Sequence, residues 1–332
     1  MAELGARLRS GLVREGGVVL VVLIGVIVLF SILSPFFFTV DNVKNVLVQS
    51  VFVLLVAVGV TFVLLTGGID LSVGSTMGLS AGLSVLTLSH GAPVTVAVLV
   101  GLVAGAAIGL VNGLLVTRVG ISDFIATLAM LGIVRGVLQL ITAKEPLRVH
   151  SSAYTKLTSA SVAGIPLPVI IAAAIVVLAS FVLWRTRFGR WVFAVGMSRD
   201  AAHIAGVDVP GVRLRVFVLA GALAAVAGML LASRLSSVQP ELGTGYELQA
   251  IAAAVIGGTS LSGGRGRLSG TVVGALLLAI IENGLRLLEV NAFYFTIITG
   301  LIIVAAVALE HGLQHGLAGL RGRRPARGGV AS

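Results

Sequence analysis

About ten apolar stretches, separated by shorter polar or glycine-rich segments, make up most of this chain. A membrane-spanning helix needs about 20 predominantly apolar residues. Stretches of this kind lie at residues 17–34, 47–66, 71–89, 93–116, 122–142, 166–184, 214–234, 248–261, 269–288 and 293–310. The pattern therefore predicts an all-α polytopic membrane protein with about ten transmembrane helices.

The third and eighth stretches, 71–89 and 248–261, differ from the others because both are short and adjoin a glycine-rich break. Non-helical backbone is tolerated at membrane depth where other parts of the protein cover it. We therefore expect short or broken helices, or re-entrant segments, at these two places.

The basic residues orient the predicted helices. With ten spans and the N-terminus inside, 16 of the 23 Lys and Arg residues fall on the cytoplasmic side, and Arg135 falls inside a span. Cytoplasmic loops carry an excess of Lys and Arg, so both termini are predicted to be cytoplasmic. The predicted domains are a cytoplasmic tail at 1–16, a transmembrane domain at 17–310 and a basic cytoplasmic tail at 311–332.

Composition supports a membrane location and argues against several other classes. Hydrophobic residues make up 57% of the chain and charged residues only 11%, whereas soluble domains carry about 25% charged residues. We therefore expect lipid to surround the chain. The net charge of +10 does not indicate nucleic-acid binding, because the basic residues cluster between apolar stretches and aromatic residues make up only 5% of the chain.

The sequence indicates neither a metal site nor an ATP site. There are no cysteines, so disulfides and thiolate ligands are excluded. A Walker A loop places lysine after glycine, and no lysine of this chain follows a glycine. No convergent set of reactive side chains is found within the predicted spans, which argues against an intramembrane enzyme. If ATP drives this protein, another chain hydrolyses it.

Few candidates for ion coupling are present. Of the 13 acidic residues, only Glu282 falls well inside a predicted span, and coupling to protons or sodium needs such groups. A stand-alone sugar carrier or facilitator stays open as an alternative, because a uniporter needs no acid. Asp70 can either cap the next helix or line a substrate path. Asn112 and Asn283 can either bridge helices or bind substrate.

Two further patterns concern the arrangement of the helices. Glycines recur at Gly101, Gly105, Gly109 and Gly113 on one face of the fourth span, which favours close helix packing. The segments 67–74 and 257–264 share five of eight residues, which suggests a duplicated architecture.

The long cytoplasmic segment, 185–213, contains one predicted helix outside the membrane. Residues 199–206 have helix-forming composition, end at Gly206 and precede Pro210, which together form a start and a stop signal.

Several runs of the sequence resemble the permeases of ribose-type ABC sugar importers. They include GIDLSVGS at 68–75, FIATL at 124–128, RLSSVQP at 234–240 and GGTSL at 257–261. The likeness extends from about residue 17 to 310 and keeps the order of the runs. The family is that of the ribose, xylose, arabinose, galactose and autoinducer-2 permeases.

The resemblance implies a permease that moves a monosaccharide, such as a pentose, a hexose or a related small polyol, across a bacterial cytoplasmic membrane by alternating access. The expected partners are a second permease copy, an extracytoplasmic sugar-binding protein, membrane lipid and a cytoplasmic ATPase that carries ATP and magnesium, with no cofactor on this chain. Residues expected to line or gate the path are Asp70, Ser72, Asn112 and Thr127.

The resemblance also implies that the short cytoplasmic helix transmits the motion of the ATPase. Its expected residues are Gly196, Arg199, Asp200, Ala201, Ala202 and Gly206. The chain departs from the coupling motif of other importer families, because the usual acidic residue is absent and Asp200 stands nearby.

Overall fold

The computed structural model of this chain describes residues 17–291 and, beyond them, residues 294, 295, 297–301 and 304. The predicted tails at 1–16 and 311–332 lie outside the described residues, as does much of the predicted tenth span. About three quarters of the described residues (76%) are helical, as the apolar pattern predicted.

The helices follow one another with short connections. Their bounds are α1 Gly17–Leu33, α2 Val40–Leu65, α3 Val73–Ser89, α4 Val94–Leu114, α5 Asp123–Thr142, α6 Ser152–Ser159, α7 Leu167–Arg185, α8 Arg187–Met197, α9 Arg199–Ile204, α10 Val209–Leu235, α11 Tyr246–Ile256 and α12 Leu268–Leu287. A π-helical turn, Leu115–Val119, continues α4.

Two small antiparallel strand pairs join loops at one end of the bundle. Strand β1 (Leu147–Arg148) pairs with β4 (Ser237–Val238), with Leu147 opposite Val238. Strand β2 (Ser161–Val162) pairs with β3 (Ile165–Pro166) in a hairpin. Each strand is two residues long, so these pairs mainly fix loops, although Val238 of β4 is fully buried in the core.

Six of the described helices are long and apolar enough to cross a membrane: α2, α4 with its π-turn, α5, α7, α10 and α12. Three shorter apolar helices, α1, α3 and α11, accompany them. The structure thus confirms short helices at the third and eighth predicted stretches. Helices α2 and α10 form the centre, with 89% and 78% of their apolar windows buried, against 28% for α5 and 22% for α7.

One hydrogen bond at each end of the bundle identifies which elements lie there. At one end, here named the α9 end, the Gly264 N–H donates to the Leu65 carbonyl oxygen at 3.0 Å, and helix α9 lies beside them. At the opposite end, Arg234 Nη2 donates to Asn45 Oδ1 at 3.4 Å, near the β1–β4 pair. Helix α2 therefore runs towards the α9 end and α10 runs away from it.

Two helices begin five or more residues earlier than the apolar stretches predicted. Helix α2 starts at Val40 because Thr39 Oγ1 accepts the Asn42 N–H at 3.3 Å. Helix α10 starts at Val209 because Asp208 Oδ1 accepts the Gly211 N–H at 3.0 Å. Hydropathy marks only the apolar part of a helix, whereas the capping residue marks where the helix begins.

The loops contain helices that the sequence analysis did not identify. The segment 185–213 holds two helices, α8 and α9, rather than one, and Thr186 Oγ1 caps α8 by accepting the Gly189 N–H at 3.2 Å. The segment 143–165, between the fifth and sixth apolar stretches, contains α6, whose Tyr154 is fully buried and accepts a hydrogen bond from Ser84 Oγ at 3.2 Å.

The glycine face predicted on the fourth span packs against α10. A Cβ built on Gly105 would overlap the carbonyl oxygen of Gly221, and one built on Gly109 would overlap that of Phe217. The two backbones therefore approach more closely than any side chain allows, as small residues permit in membrane bundles. The prediction of close packing is confirmed.

We expect Gly109→Leu to destabilise the chain strongly, because overpacking a tight contact costs about 1–3 kcal/mol or more. The midpoint of thermal aggregation of the detergent-purified chain measures this effect. Gly132→Leu is the control, because a Cβ at Gly132 meets nothing within 4 Å. Equal midpoints for the two variants would contradict the role of the glycine face.

Candidate translocation path and coupling site

The four residues predicted to line or gate the path lie in one buried cluster, here named the polar cluster. Asp70, Ser72, Asn112 and Thr127 are each no more than 1% exposed. Ser72 Oγ donates to Asp70 Oδ1 at 2.7 Å, and Asn112 Nδ2 donates to Ser72 Oγ at 2.7 Å. Thr127 Oγ1 lies 3.3 Å from the Ile69 carbonyl oxygen. The fold thus brings together residues from α4, α5 and the turn before α3.

Asp70 holds the turn before α3 rather than the helix itself. Its Oδ1 accepts the Ser72 N–H at 2.9 Å, and Ser72 is the residue that precedes α3. The expected capping of the first free N–H groups of the helix is therefore not found. Chemically, the cluster offers a carboxylate, two hydroxyls and an amide, which together can donate to and accept from the hydroxyl groups of a polyol.

An ion pair between Asp123 and Arg213 closes the cluster towards the α9 end. The two side chains are mostly buried, with 15% of Asp123 and 9% of Arg213 exposed. Asp123 lies in the first turn of α5, and its carbonyl oxygen accepts from Thr127 Oγ1 at 2.8 Å. A Cβ on Gly68 would come within 2.6 Å of the Asp123 carboxylate. The pair therefore ties α5, α10 and the turn after α2 together.

Helix α9 lies where the coupling helix was predicted, but it is shorter. It covers Arg199–Ile204, and Ser198 Oγ caps it by accepting the Ala201 N–H at 3.2 Å. Gly206 follows with a positive φ of 80°, which ends the helical path. Ile204 is 87% exposed, although it is a large apolar residue. An apolar side chain so placed outside the apolar helices is available to a partner protein.

The base of this segment is fixed to the bundle. A Cβ on Gly196 would overlap the Leu65 carbonyl oxygen and crowd the Gly264 nitrogen. Arg199 Nη2 donates to the Gly67 carbonyl oxygen at 3.1 Å. Of the other predicted coupling residues, Ala202 is buried, whereas Asp200, Ala201 and Gly206 are exposed. Gly196 at the end of α8 and Arg199 at the start of α9 therefore contact the end of α2 and the turn after it directly.

The two similar glycine-rich segments meet at this point. Gly67 and Gly258 both adopt positive φ values, 69° and 86°, and each closes a helix by donating to a carbonyl oxygen three residues back. In the structure Gly67 therefore corresponds to Gly258. The sequence match, in contrast, pairs Gly67 with Gly257, one residue earlier. The suggested duplication of the architecture stays a prediction.

The chain between α10 and α11 folds back into the bundle. Within residues 236–245, Val238 lies beside Gly82, and the Gly243 carbonyl oxygen lies beside Gly74. Helix α3 runs away from the α9 end as it passes from Gly74 to Gly82. The loop passes Gly82 first and Gly74 later, so it runs along α3 back towards the α9 end, and α11 begins inside the bundle. Such a re-entrant path is one of the two geometries expected for the eighth stretch.

Two charged residues meet this re-entrant loop. Arg135 Nη1 donates to the Leu242 carbonyl oxygen at 2.7 Å. Glu247 Oε1 accepts the Gly245 N–H at 3.1 Å, and the charges of Arg135 and Glu247 attract each other. The sequence analysis missed Glu247 as an acid within the bundle, because the predicted span began one residue later. Gly243 and Gly245, both with φ of 85°, are the signal that could have located this turn.

Asn283 bridges helices, which is one of its two predicted roles. Asn42 Nδ2 donates to Asn283 Oδ1 at 3.0 Å, and Asn283 Nδ2 donates to Asn42 Oδ1 at 2.9 Å. This reciprocal amide pair joins α2 to α12 away from the polar cluster. Asn112, by contrast, belongs to the cluster itself.

Comparison with known protein families gives a match over most of the chain. Residues 42–307 match the family model described as the permease component of branched-chain amino acid transport systems. No solved structure matches the chain.

Three curated relatives are similar over nearly their whole length. The ribose import permease protein of Escherichia coli is 40% identical over 299 residues, which is 89% of this chain and 93% of that protein. The ribose import permease protein of Bacillus subtilis is 43% identical, over 86% of this chain and 89% of that protein. The D-allose transport system permease protein of Escherichia coli is 37% identical, over 86% and 88%.

Proposed function

We propose that this chain, which belongs to the family of transport-system permeases that contains the ribose and D-allose permeases, imports a monosaccharide across the bacterial cytoplasmic membrane. The observation that carries this proposal is the 40% identity to a ribose permease over 93% of that protein. The family model is named for branched-chain amino acids, so the cargo is the point to establish.

The chemistry of the polar cluster favours a sugar over an aliphatic amino acid. Asp70, Ser72, Asn112 and Thr127 present carboxylate, hydroxyl and amide groups, which hydrogen-bond to polyols. A branched aliphatic side chain would instead need an apolar pocket. We therefore place the four residues on or beside the path as lining or gating groups.

Energy for the transport comes from a separate ATPase in this proposal. The sequence has no Walker A loop, and the exposed helix α9 offers a contact for a partner. The ATPase would move α9 as a rigid body, and Gly196 and Arg199 would pass this motion to α2. An external sugar-binding protein and a second permease copy complete the proposed complex.

The proposed topology places the α9 end in the cytoplasm. Helices α1, α2, α3, α4, α5, α7 and α10 alternate in direction along the chain, the re-entrant loop with α11 returns to the α9 end, and α12 leaves it again. Together with the tenth stretch predicted from the sequence, 293–310, this makes about ten crossings. Both termini would then share the cytoplasmic side, as the excess of basic residues there also indicates.

Co-purification tests this proposal. The tagged chain is isolated from its native membrane in mild detergent, the bound proteins are identified by mass spectrometry, and phosphate release is measured. We expect an ATPase subunit with a Walker A motif, and phosphate release that rises when a sugar-loaded binding protein is added. Stimulation by leucine or valine with their binding protein would instead show an amino acid importer. If the chain is purified without any bound ATPase and takes up sugar in liposomes without ATP, it is a stand-alone carrier.

A further inference from the structure

A polar cleft of about 460 Å³ lies at the end of the bundle opposite α9. Its volume falls within the range of about 300–1,000 Å³ that is typical of small-molecule sites. The cleft lies between the end of α5 and the start of the re-entrant loop, and it is lined by Gln139, Lys144, Pro146, Gln239, Pro240 and Glu241.

The lining of the cleft suits a ligand rich in hydroxyl groups. The amides of Gln139 and Gln239 both donate and accept hydrogen bonds, the Glu241 carboxylate accepts, and the Lys144 ammonium donates. Among the described residues that line it, the two prolines are the apolar side chains and the other four side chains are polar or charged. Most ligand pockets are predominantly apolar, so this lining is unfavourable for an aliphatic side chain and favourable for a sugar.

Arg135 lies directly beneath the cleft. Its Nη1 is 2.7 Å from the Leu242 carbonyl oxygen and 3.5 Å from that of Pro240, which belongs to the cleft lining. Within the part of the chain that the structure describes, these are the hydrogen bonds of its guanidinium, so Nε and Nη2 keep free N–H groups. An arginine at membrane depth is expensive and is usually retained for function.

Polar residues of α5 occur at intervals between the buried polar cluster and this cleft. Arg135 and Gln139 are one turn apart and share one face of the helix, whereas Thr127 lies about 80° around the helix from Arg135. From Asp123 to Gln139 the polar residues cover about 24 Å along the helix axis while winding about halfway around it. The series begins at the Asp123–Arg213 pair, passes Thr127 in the cluster and ends at Gln139 in the cleft.

We propose that the cleft receives the sugar at the outer face and that Gln139, followed by Arg135, contacts it on the way to the polar cluster. This inference rests on the proposed function and adds the first contact residues of the path. The carboxylates of Glu247 and of Glu241, which lines the cleft, both attract the charge of Arg135, and the Leu242 carbonyl oxygen holds its Nη1 at 2.7 Å.

The test uses the full chain with its co-purified ATPase and its binding protein in proteoliposomes. Uptake of labelled D-ribose, D-allose and L-arabinose and release of phosphate are measured together, and the sugar taken up fastest is used for the variants. Gln139→Ala removes the first contact, and Arg135→Gln removes the second. Leu140→Ala is the matched control, because Leu140 is the next residue of α5 and is 80% exposed.

We expect Gln139→Ala to lower the sugar delivered per ATP hydrolysed by about fivefold, the effect of one lost hydrogen bond, and Leu140→Ala to leave this ratio unchanged. Stimulation of phosphate release by the binding protein is expected to stay within about twofold of the unmodified complex in both variants.

Two results would overturn this inference alone. A parallel loss of uptake and of phosphate release in Gln139→Ala would show that the cleft docks the binding protein, and an unchanged ratio in both Gln139→Ala and Arg135→Gln would show that neither residue contacts the sugar. If the unmodified complex takes up none of the three sugars, the proposed function fails and the inference fails with it.

Discussion

Replacing Asp123 with asparagine is expected to lower the free energy of unfolding by about 3 kcal/mol and to abolish most uptake, because it leaves the Arg213 charge without a partner in a largely buried site. The pair joins α5 to α10 and lies against the turn at Gly68. Its loss should therefore disturb the adjoining polar cluster as well as the stability of the bundle. The thermal midpoint of the purified chain and labelled sugar uptake measure the two effects.

A paired replacement separates the charge from the packing. Asp123→Leu combined with Arg213→Met removes both charges, and apolar replacement of a buried pair is often neutral for stability. We expect this double variant to melt close to the unmodified chain. Glu282→Gln is the control, because Glu282 pairs with Arg286, which is 67% exposed, and such pairs contribute at most about 1 kcal/mol. If Asp123→Asn melts no lower than Glu282→Gln, the account of the buried pair is wrong.

Replacing Ile204 with glutamate is expected to remove most of the ATPase from the purified complex while the chain still inserts and folds. Ile204 is 87% exposed on α9, so the change costs the chain itself little. Central apolar anchors of an interface typically contribute about 2 kcal/mol or more to binding, which corresponds to a loss of affinity of about 30-fold. The amount of ATPase recovered with the tagged chain measures the effect.

Val162→Glu is the matched control for this experiment. Val162 is 58% exposed in the β2–β3 hairpin, at the end of the bundle opposite α9, so we expect normal recovery of the ATPase. Equal recovery with Ile204→Glu and Val162→Glu would place the ATPase contact elsewhere on the chain.

Much of the fold could be predicted because helices that cross a lipid bilayer need long apolar stretches, which are visible in the sequence. Apolar stretches of about 20 residues located the long helices, and the composition of 199–206 located α9. The ends of the helices were less predictable, since Thr39 and Asp208 extend α2 and α10 beyond their apolar parts. Such capping residues are polar and lie outside the apolar stretches, so a hydropathy pattern does not identify them.

The polar cluster was predictable as a set of residues but not as an arrangement. Asp70, Ser72 and Asn112 were identified by residue type and family resemblance, while their hydrogen bonds depend on the packing of α4 against the turn before α3. Asp123 and Arg213 are far apart in the sequence, and no local sequence pattern predicts their contact.

The re-entrant loop was the least predictable part of the site. The loop can run this close to α3 because two glycines from different segments, Gly74 and Gly243, bring their backbones into contact. The Glu247 carboxylate also lies against Gly74. A single sequence shows both glycines but does not show that they meet.

Uptake into proteoliposomes tests the central claim most directly. Liposomes containing either the purified chain alone or the chain with its co-purified ATPase are supplied with labelled D-ribose, D-allose or L-arabinose and the binding protein, with and without ATP on the ATPase side. The account predicts uptake of at least one sugar only when both the ATPase and ATP are present. Uptake by the chain alone without ATP would contradict it and would establish a self-sufficient carrier.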